Sequence, residues 1–397
     1  MSVLSLSKED VALIRDDTPG VDQVTHFNNA GTGLAPSPVL DAVKQQLDLE
    51  AKIGGYEAAA AADAEMGAFY TSLATLLGCK PHEIAYVENA TRAWDMAFYG
   101  IGFREGDRIL TGRSEYVSNY VALLQMKKRK GIEIDLVEDD ASGQIDLKAL
   151  EAAITPKTRL IALTHIPTFS GLINPAEDIG VIAEKHKLLY LLDACQSVGQ
   201  IPLSIDTIGC HMLSGTGRKY LRGPRGTGFL YVSDNVLDQI EPPFVDLQAT
   251  NWIDENRYEL VPGAQRFETW ERYVAGQIGL GVAVNYALGF GMDRIGSRVC
   301  DLGNQLRAEL LTIPGANLHD KGVRKGGIVT FSLDGEAPAV TKERLAGQKI
   351  NVSVSNASSS RIDLPHRGLS AVIRASLHAF NCEEEIELFI KALGRNP

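Results

Sequence analysis

Asp193 closes an apolar run, LLYLLDA at 188–194, that reads as a buried strand. A bare carboxylate there is expensive unless a positive partner faces it. Lys219 follows on a turn crowded with glycine, GTGRKYLRGPRGTG, flanked by two further strand-like runs. An acid at a strand end and a lysine in a tight downstream turn are what pyridoxal 5′-phosphate (PLP) chemistry requires. The acid keeps a pyridine nitrogen protonated so that the ring withdraws electrons, and the lysine forms an imine and shuttles protons. Taken singly, neither residue excludes a plainer role, since most lysines are solvated and many strand-end aspartates cap helices.

Short apolar runs alternate with helical patterns around these two residues. EIAYV (83–87), DRILTG (107–112), EIDLVE (133–138), RLIALTHI (159–166) and LLYLLDA read as strands, with helices expected from Asp146 to Ile154 and from Pro175 to His186. Near-continuous apolar runs suit parallel strands buried on both faces. The βαβα rhythm predicts an α/β fold with a mostly parallel sheet, and ligands in such sheets lie beyond the C-terminal strand ends. After about Ser233 the pattern turns irregular, then gives a Gly-rich helical segment and three strand-like runs, GGIVTFSL, INVSVSN and AVIRASL, before a final acidic helix from Glu383 to Leu393. These changes predict an N-terminal segment (1–22) packing with a small domain, a large cofactor-binding domain (23–262) and a smaller C-terminal α+β domain (263–397). A short helix is expected after a Ser7 cap.

The 397 residues are 45% apolar and 22% charged, with a net charge of −11. That balance argues against a nucleic-acid surface, which needs clustered Lys and Arg. The five cysteines show no CxxC pair, which fits a reduced cytoplasmic protein better than a disulfide framework or zinc site. No membrane span or secretory signal is indicated. The GTG at 31–33 lacks the third glycine and the strand-to-helix setting of a dinucleotide fingerprint.

The order of motifs resembles the class V aminotransferase family of fold-type I PLP enzymes, which holds cysteine desulfurases, C–S lyases and isopenicillin N epimerase-like proteins. DACQ is similar to that family's Asp-x-x-Gln, which implies Asp193 on the pyridinium and Gln196 on the ring's 3′-oxygen. TGRK resembles Ser-Gly-His-Lys, implying Thr216 and Arg218 at the phosphate before the Schiff-base Lys219. RASLHAFN resembles the Arg-x-Ser signature and implies Arg374 on the substrate carboxylate. VENATRAW is similar to a Gly-Thr-Thr-Glu turn whose helix N-terminus binds phosphate, here through the Ala90 backbone and Thr91; an ordinary helix cap is the other reading. RSEYVSN resembles the segment whose His stacks on the PLP ring, with Tyr116 in its place, and Thr168 stands where relatives have an Asn beside the cofactor oxygen. In FNNAG, Asn29 matches a substrate-carboxylate contact or is a turn residue. His165, in LTHIPTFSG, either faces the substrate or is a packed structural histidine. The resemblance also implies a homodimer.

Two departures bear on the reaction. The stretch INVSVSNASSSRIDLPHRGLSAVIRAS contains no cysteine where desulfurases carry the one that takes sulfur as a persulfide. RFETWE replaces the family's Arg-Phe-Glu-Ala-Gly-Thr, whose Thr reaches the neighbouring subunit's phosphate, although Thr269 lies nearby. Cys195 is expected to be a buried, inert thiol. The departures favour a C–S β-lyase that cleaves an S-substituted cysteine or cysteine sulfoxide to pyruvate, ammonia and a sulfur product. Racemisation (with Tyr116 or His165 as second base), decarboxylative deamination and transamination remain open. Specificity is expected from residues 240–262 and 355–370, where Arg361 and Arg367 either read a second anionic group or are solvated.

Overall fold

The computed structural model describes residues 5–394. Seven strands form the central sheet: β1 (Ile84–Val87), β2 (Arg108–Gly112), β3 (Glu133–Val137), β4 (Thr158–Thr164), β5 (Leu189–Asp193), β6 (Met212–Thr216) and β7 (Gly228–Val232). Their spatial order is β1-β7-β6-β5-β4-β2-β3, with only β7 antiparallel to its neighbours. β1, β5, β6 and β7 are buried along their whole length, which is why their sequences lack an apolar–polar alternation. Burying a leucine such as Leu191 on such a strand contributes about 2 kcal/mol each time it occurs.

Helices cover both faces of this sheet. Two matter most here: α1 (Ala90–Tyr99) follows β1, and α2 (Val117–Lys130) follows β2. Both therefore start at the edge where the parallel strands end. α2 stops at Gly131, whose φ of 69° is left-handed and suits glycine. The expected helices at 146–154 and 175–186 span Leu147–Ala152, capped by Asp146, and Ala176–His186. Ser7 caps Lys8–Asp16 in a capping box. That helix is tied down by ion pairs from Arg15 to Glu385 and from Asp10 to Arg294.

A second, four-stranded antiparallel sheet is built from β10 (Ala316–Leu318), β11 (Ile328–Leu333), β12 (Ser353–Asn356) and β13 (Ala371–Ser376), in the order β10-β11-β13-β12. Between the two sheets the chain makes an exposed hairpin, β8 (Thr250–Asp254) with β9 (Arg257–Leu260). The irregular stretch of the sequence thus hides two strands. The Gly-rich segment is a helix, Val274–Phe290, that turns by 82° at Gly291 into Met292–Leu310. Most of Val274–Phe290 is buried in the protein, which explains its weak polar face. No single helix among the described residues is long and apolar enough to cross a membrane.

Candidate active site

Three strand ends and two helix starts converge on one cavity of about 270 Å³. β4 brings Thr164, β5 brings Asp193 and β6 brings Thr216 to its wall. α1 contributes Asn89, Ala90 and Thr91, and the start of α2 contributes Tyr116 and Asn119. Lys219 projects from the turn after β6. Gly33 makes that turn possible from the other side: its N–H donates to Arg218 O at 2.8 Å, and a Cβ there would stand 2.6 Å from the Lys219 carbonyl oxygen.

The electrostatics of the cavity are set by burial. Asp193 is 4% exposed and accepts two bonds, from Cys195 N to Oδ1 at 2.9 Å and from Asn119 Nδ2 to Oδ2 at 2.8 Å. Lys219 Nζ has no hydrogen-bond partner among the described residues and lies 6.0 Å from the centre of the Tyr116 ring. Burial lowers its pKa, against the opposing pull of Cys195 and Asp193. An amine lowered in this way is a better nucleophile and base at neutral pH. The Cys195 thiol moves the other way, well above its ordinary value, through burial and the Asp193 charge. A thiol raised in this way stays protonated and is a weak nucleophile, although Cys195 is only half-buried on the cavity wall.

At α1 the Asn89 side chain accepts from Arg92 N at 2.9 Å, and the Ala90 and Thr91 N–H groups find no acceptor among the described residues. Gly228 opposite has no room for a side chain, since a Cβ would come within 2.8 Å of the Asn89 carbonyl carbon. The helix start is therefore an open anion site next to Thr216 and Arg218. The Arg218 guanidinium is anchored on Gly31 O.

Thr168 connects the far wall. Its Oγ1 accepts from Gln196 Nε2 at 3.1 Å and also from Arg374 Nη1, which donates to Thr168 O at 3.2 Å as well. Arg374 Nη2 donates to Asn28 Oδ1 at 2.9 Å. A guanidinium has five N–H groups. Three are spent on protein, and Nε, which is buried without a partner, together with one Nη2 hydrogen remains. Two such donors match the two oxygens of a carboxylate. Burial lowers the Arg374 pKa to about 10, so the group stays charged at neutral pH.

Of the residues expected at the cofactor, Ala90, Thr91, Tyr116, Thr168, Asp193, Gln196, Thr216, Arg218 and Lys219 all line the cavity. Arg374 joins its wall through Thr168. Asn29 is fully buried in a turn, where it donates to His26 O at 3.1 Å and Ser376 O at 2.9 Å and keeps Oδ1 without a protein partner, while the neighbouring Asn28 accepts from Arg374. His165 is buried outside the cavity lining, and burial together with Arg324 lowers its pKa to about 3. That low pKa keeps the imidazole neutral. Arg367 pairs with Asp363 at 3.0 Å and bonds His319 O, while Arg361 and His366 are exposed away from the cavity wall. Thr269 donates to Glu88 at 3.3 Å and to Glu271 O at 3.2 Å.

The lining fits PLP on two structural grounds. The cavity offers an anion site at one end, and a carboxylate and a lysine amine converge on its centre. Gln196, on its lining, carries an orphaned acceptor, Oε1, and Arg374, bonded to Thr168 of the lining, carries an orphaned donor, Nε, both buried in a protein whose buried polar groups are otherwise mostly paired.

Comparison with known proteins gives the same picture. The aminotransferase class-V family model matches residues 25–389. A probable cysteine desulfurase of Xylella fastidiosa (strain Temecula1 / ATCC 700964) is 31% identical over 399 residues, covering 96% of this chain and 94% of the relative. One from Methanothermobacter thermautotrophicus is 28% identical, covering 96% of each. The apo cysteine desulfurase of Thermococcus onnurineus NA1 superposes with a TM-score of 0.90 at 25% identity, over 99% of this chain and 98% of that one. The cystine C–S lyase C-DES, solved with its reaction product cysteine persulfide, shares the fold at a TM-score of 0.85 and 23% identity, over 95% of this chain and 100% of that one.

Proposed function

This chain belongs to the aminotransferase class-V family and is a PLP-dependent enzyme, and from that premise we propose that it is a C–S β-lyase. Its substrate in this reading is an S-substituted cysteine or cysteine sulfoxide, and its products are pyruvate, ammonia and a sulfur compound. The relatives' names, cysteine desulfurase and cystine C–S lyase, support C–S cleavage of a sulfur amino acid. One observation carries the choice of lyase: the 350–376 segment has no cysteine, and the one cysteine among the residues lining the cavity, Cys195, has its thiol pKa raised by burial and the Asp193 charge. With no thiol to take up sulfur, the sulfur leaves as a free product.

The residues divide the work as follows. Ala90 and Thr91 N–H groups, Thr216 and Arg218 would hold the phosphate. Asp193 would face the ring nitrogen, Gln196 and Thr168 the ring oxygen, and Tyr116 the ring face. When bound, PLP supplies an electron sink for charge released at the substrate α-carbon. Arg374 binds the substrate carboxylate with its two free donors and is itself held by Thr168 and Asn28. Lys219 Nζ takes the α-proton, and the Cβ–S bond breaks with its electron pair leaving on sulfur. His165 lies outside the cavity and stays neutral, which leaves racemisation with Tyr116 as its only candidate for a second base on the lining.

The reading extends to the assembly. A homodimer is supported by exposed aromatics that come in neighbouring pairs, Trp252 opposite Tyr258 on the hairpin and Tyr56 with Trp270 along one groove. The two sheets support a large and a small domain, with the boundary proposed near residue 262 although Val274–Phe290 packs Leu280, Ala283 and Val284 into the large core, and the Lys8–Asp16 helix is tied toward the small domain through Arg15–Glu385 and Asp10–Arg294. Five unpaired cysteines suit the cytoplasm.

The test is pyruvate release by the purified holoenzyme across cysteine, S-alkyl and S-aryl cysteines and their sulfoxides, with Lys219→Ala as control. Lys219-dependent pyruvate is expected. No pyruvate from any substrate, with a cofactor spectrum that still responds to amino acids, would move the assignment to racemisation, decarboxylative deamination or transamination.

A further inference from the structure

Behind Asp193 sits a second carboxyl group that the reaction above does not use. Glu115 is 6% exposed, and Asn119, which lies between the two acids, is 3% exposed. Asn119 Nδ2 donates to Glu115 Oε1 at 2.9 Å and to Asp193 Oδ2 at 2.8 Å. An amide nitrogen carries two hydrogens, so each is spent on one carboxyl group. Glu115 Oε1 also accepts from Tyr116 N at 2.7 Å and from the Thr164 hydroxyl, and Oε2 meets the Thr111 hydroxyl at 3.3 Å.

Among the described residues no cation bonds this acid. The groups facing it are Thr111 from β2, Thr164 from β4, Asn119 from α2 and, across Asn119, Asp193 from β5, and among these only Asp193 is ionisable. Burial raises the Glu115 pKa and the Asp193 charge adds to the rise, while the bonds donated by Thr164, Asn119 and Tyr116 N favour the ionised carboxylate and oppose it. Such a group is costly to keep. A glutamine would fit the same donors at less cost, because the threonine hydroxyl of Thr111 can turn to accept. Packing alone does not account for an acid at this position.

We propose that Glu115 is a positioning residue which, through the Asn119 amide, fixes the Asp193 carboxylate against the cofactor ring nitrogen and adds its negative charge to hold the proton there. The proposal rests on the reading of Asp193 as the ring-nitrogen partner. The start of α2 helps, since its dipole favours negative charge at Glu115. A second buried negative charge raises the proton affinity of a cationic ring beside the first.

The test uses holoenzyme reconstituted with PLP labelled with ¹⁵N at the ring nitrogen, whose chemical shift reports protonation directly. Glu115→Gln keeps the shape and removes the charge. It is expected to lower the proton affinity of the ring nitrogen by roughly tenfold, a shift of about one pKa unit. Asn119→Ala breaks the bridge and is expected to act in the same direction; it carries the test if Glu115→Gln does not fold. Asp193→Asn is the control. If it abolishes the ring proton while Glu115→Gln and Asn119→Ala match the wild type, the role of Glu115 is overturned and that of Asp193 stands. If Asp193→Asn leaves the ring proton in place, the underlying assignment of Asp193 is wrong and the proposal goes with it.

Discussion

Truncating Arg374 to alanine isolates substrate binding from cofactor binding. Arg374 offers two unspent N–H groups to a carboxylate, and Nε is buried without a protein partner. Hydrogen bonds to charged groups contribute roughly 1.5–3 kcal/mol each. Losing two of them costs about 3 kcal/mol at the low end, or roughly 150-fold in affinity for the amino acid. The assay is titration of the holoenzyme's visible spectrum with an amino acid, which reads binding whatever bond is later broken. Arg374→Ala should need roughly two orders of magnitude more amino acid for half the spectral change. It should keep the cofactor through dialysis, because Arg374 reaches the cavity wall only through Thr168 and Asn28. Arg374→Lys keeps the charge and loses the planar fork, so it should fall between the two. An unchanged titration would refute the donor count, and so would loss of the cofactor with amino-acid affinity intact.

Lys219→Ala should abolish turnover and change the holoenzyme's visible spectrum; retained activity would end its assignment as the base. Glu268 gives a stability prediction. It is 1% exposed, pairs with Arg272 at 3.0 Å and accepts from Tyr86 N at 2.8 Å, yet burial raises its pKa to about 7. A folded pKa above the unfolded value of about 4.3 means the folded protein binds the proton more tightly. Its contribution is therefore full below pH ~4.3 and lost as pH rises through about 7, a change on the order of 3 kcal/mol. Comparing Tm against pH for the wild type and Glu268→Gln should show the wild type falling more steeply over that window, and parallel curves would sink the assignment.

Residues whose chemistry demands their type were legible without coordinates, and residues that only position them were not. Asp193 and Lys219 stand out because a buried strand-end acid and a lysine in a glycine-rich turn need a reason to be there. The nine residues expected around the cofactor all line one cavity because strand ends and helix starts of a parallel sheet share an edge. Asn28 was missed for a different reason. It and Asn29 are the same residue type one position apart, and which of them faces Arg374 depends on the turn that follows the bridge from Asn28 to Ser376. β8 and β9 were missed because almost every residue in them is exposed, leaving no buried face to print a period of two. Glu115 and Asn119 look like the ordinary polar start of a helix. Their burial follows only from where α2 lands, with its first turn against the ends of β4 and β5. A polar pair spaced four apart at the start of a helix that follows a parallel strand has one face turned to that edge. In such a fold it is the place to look for groups that hold a catalytic acid in position.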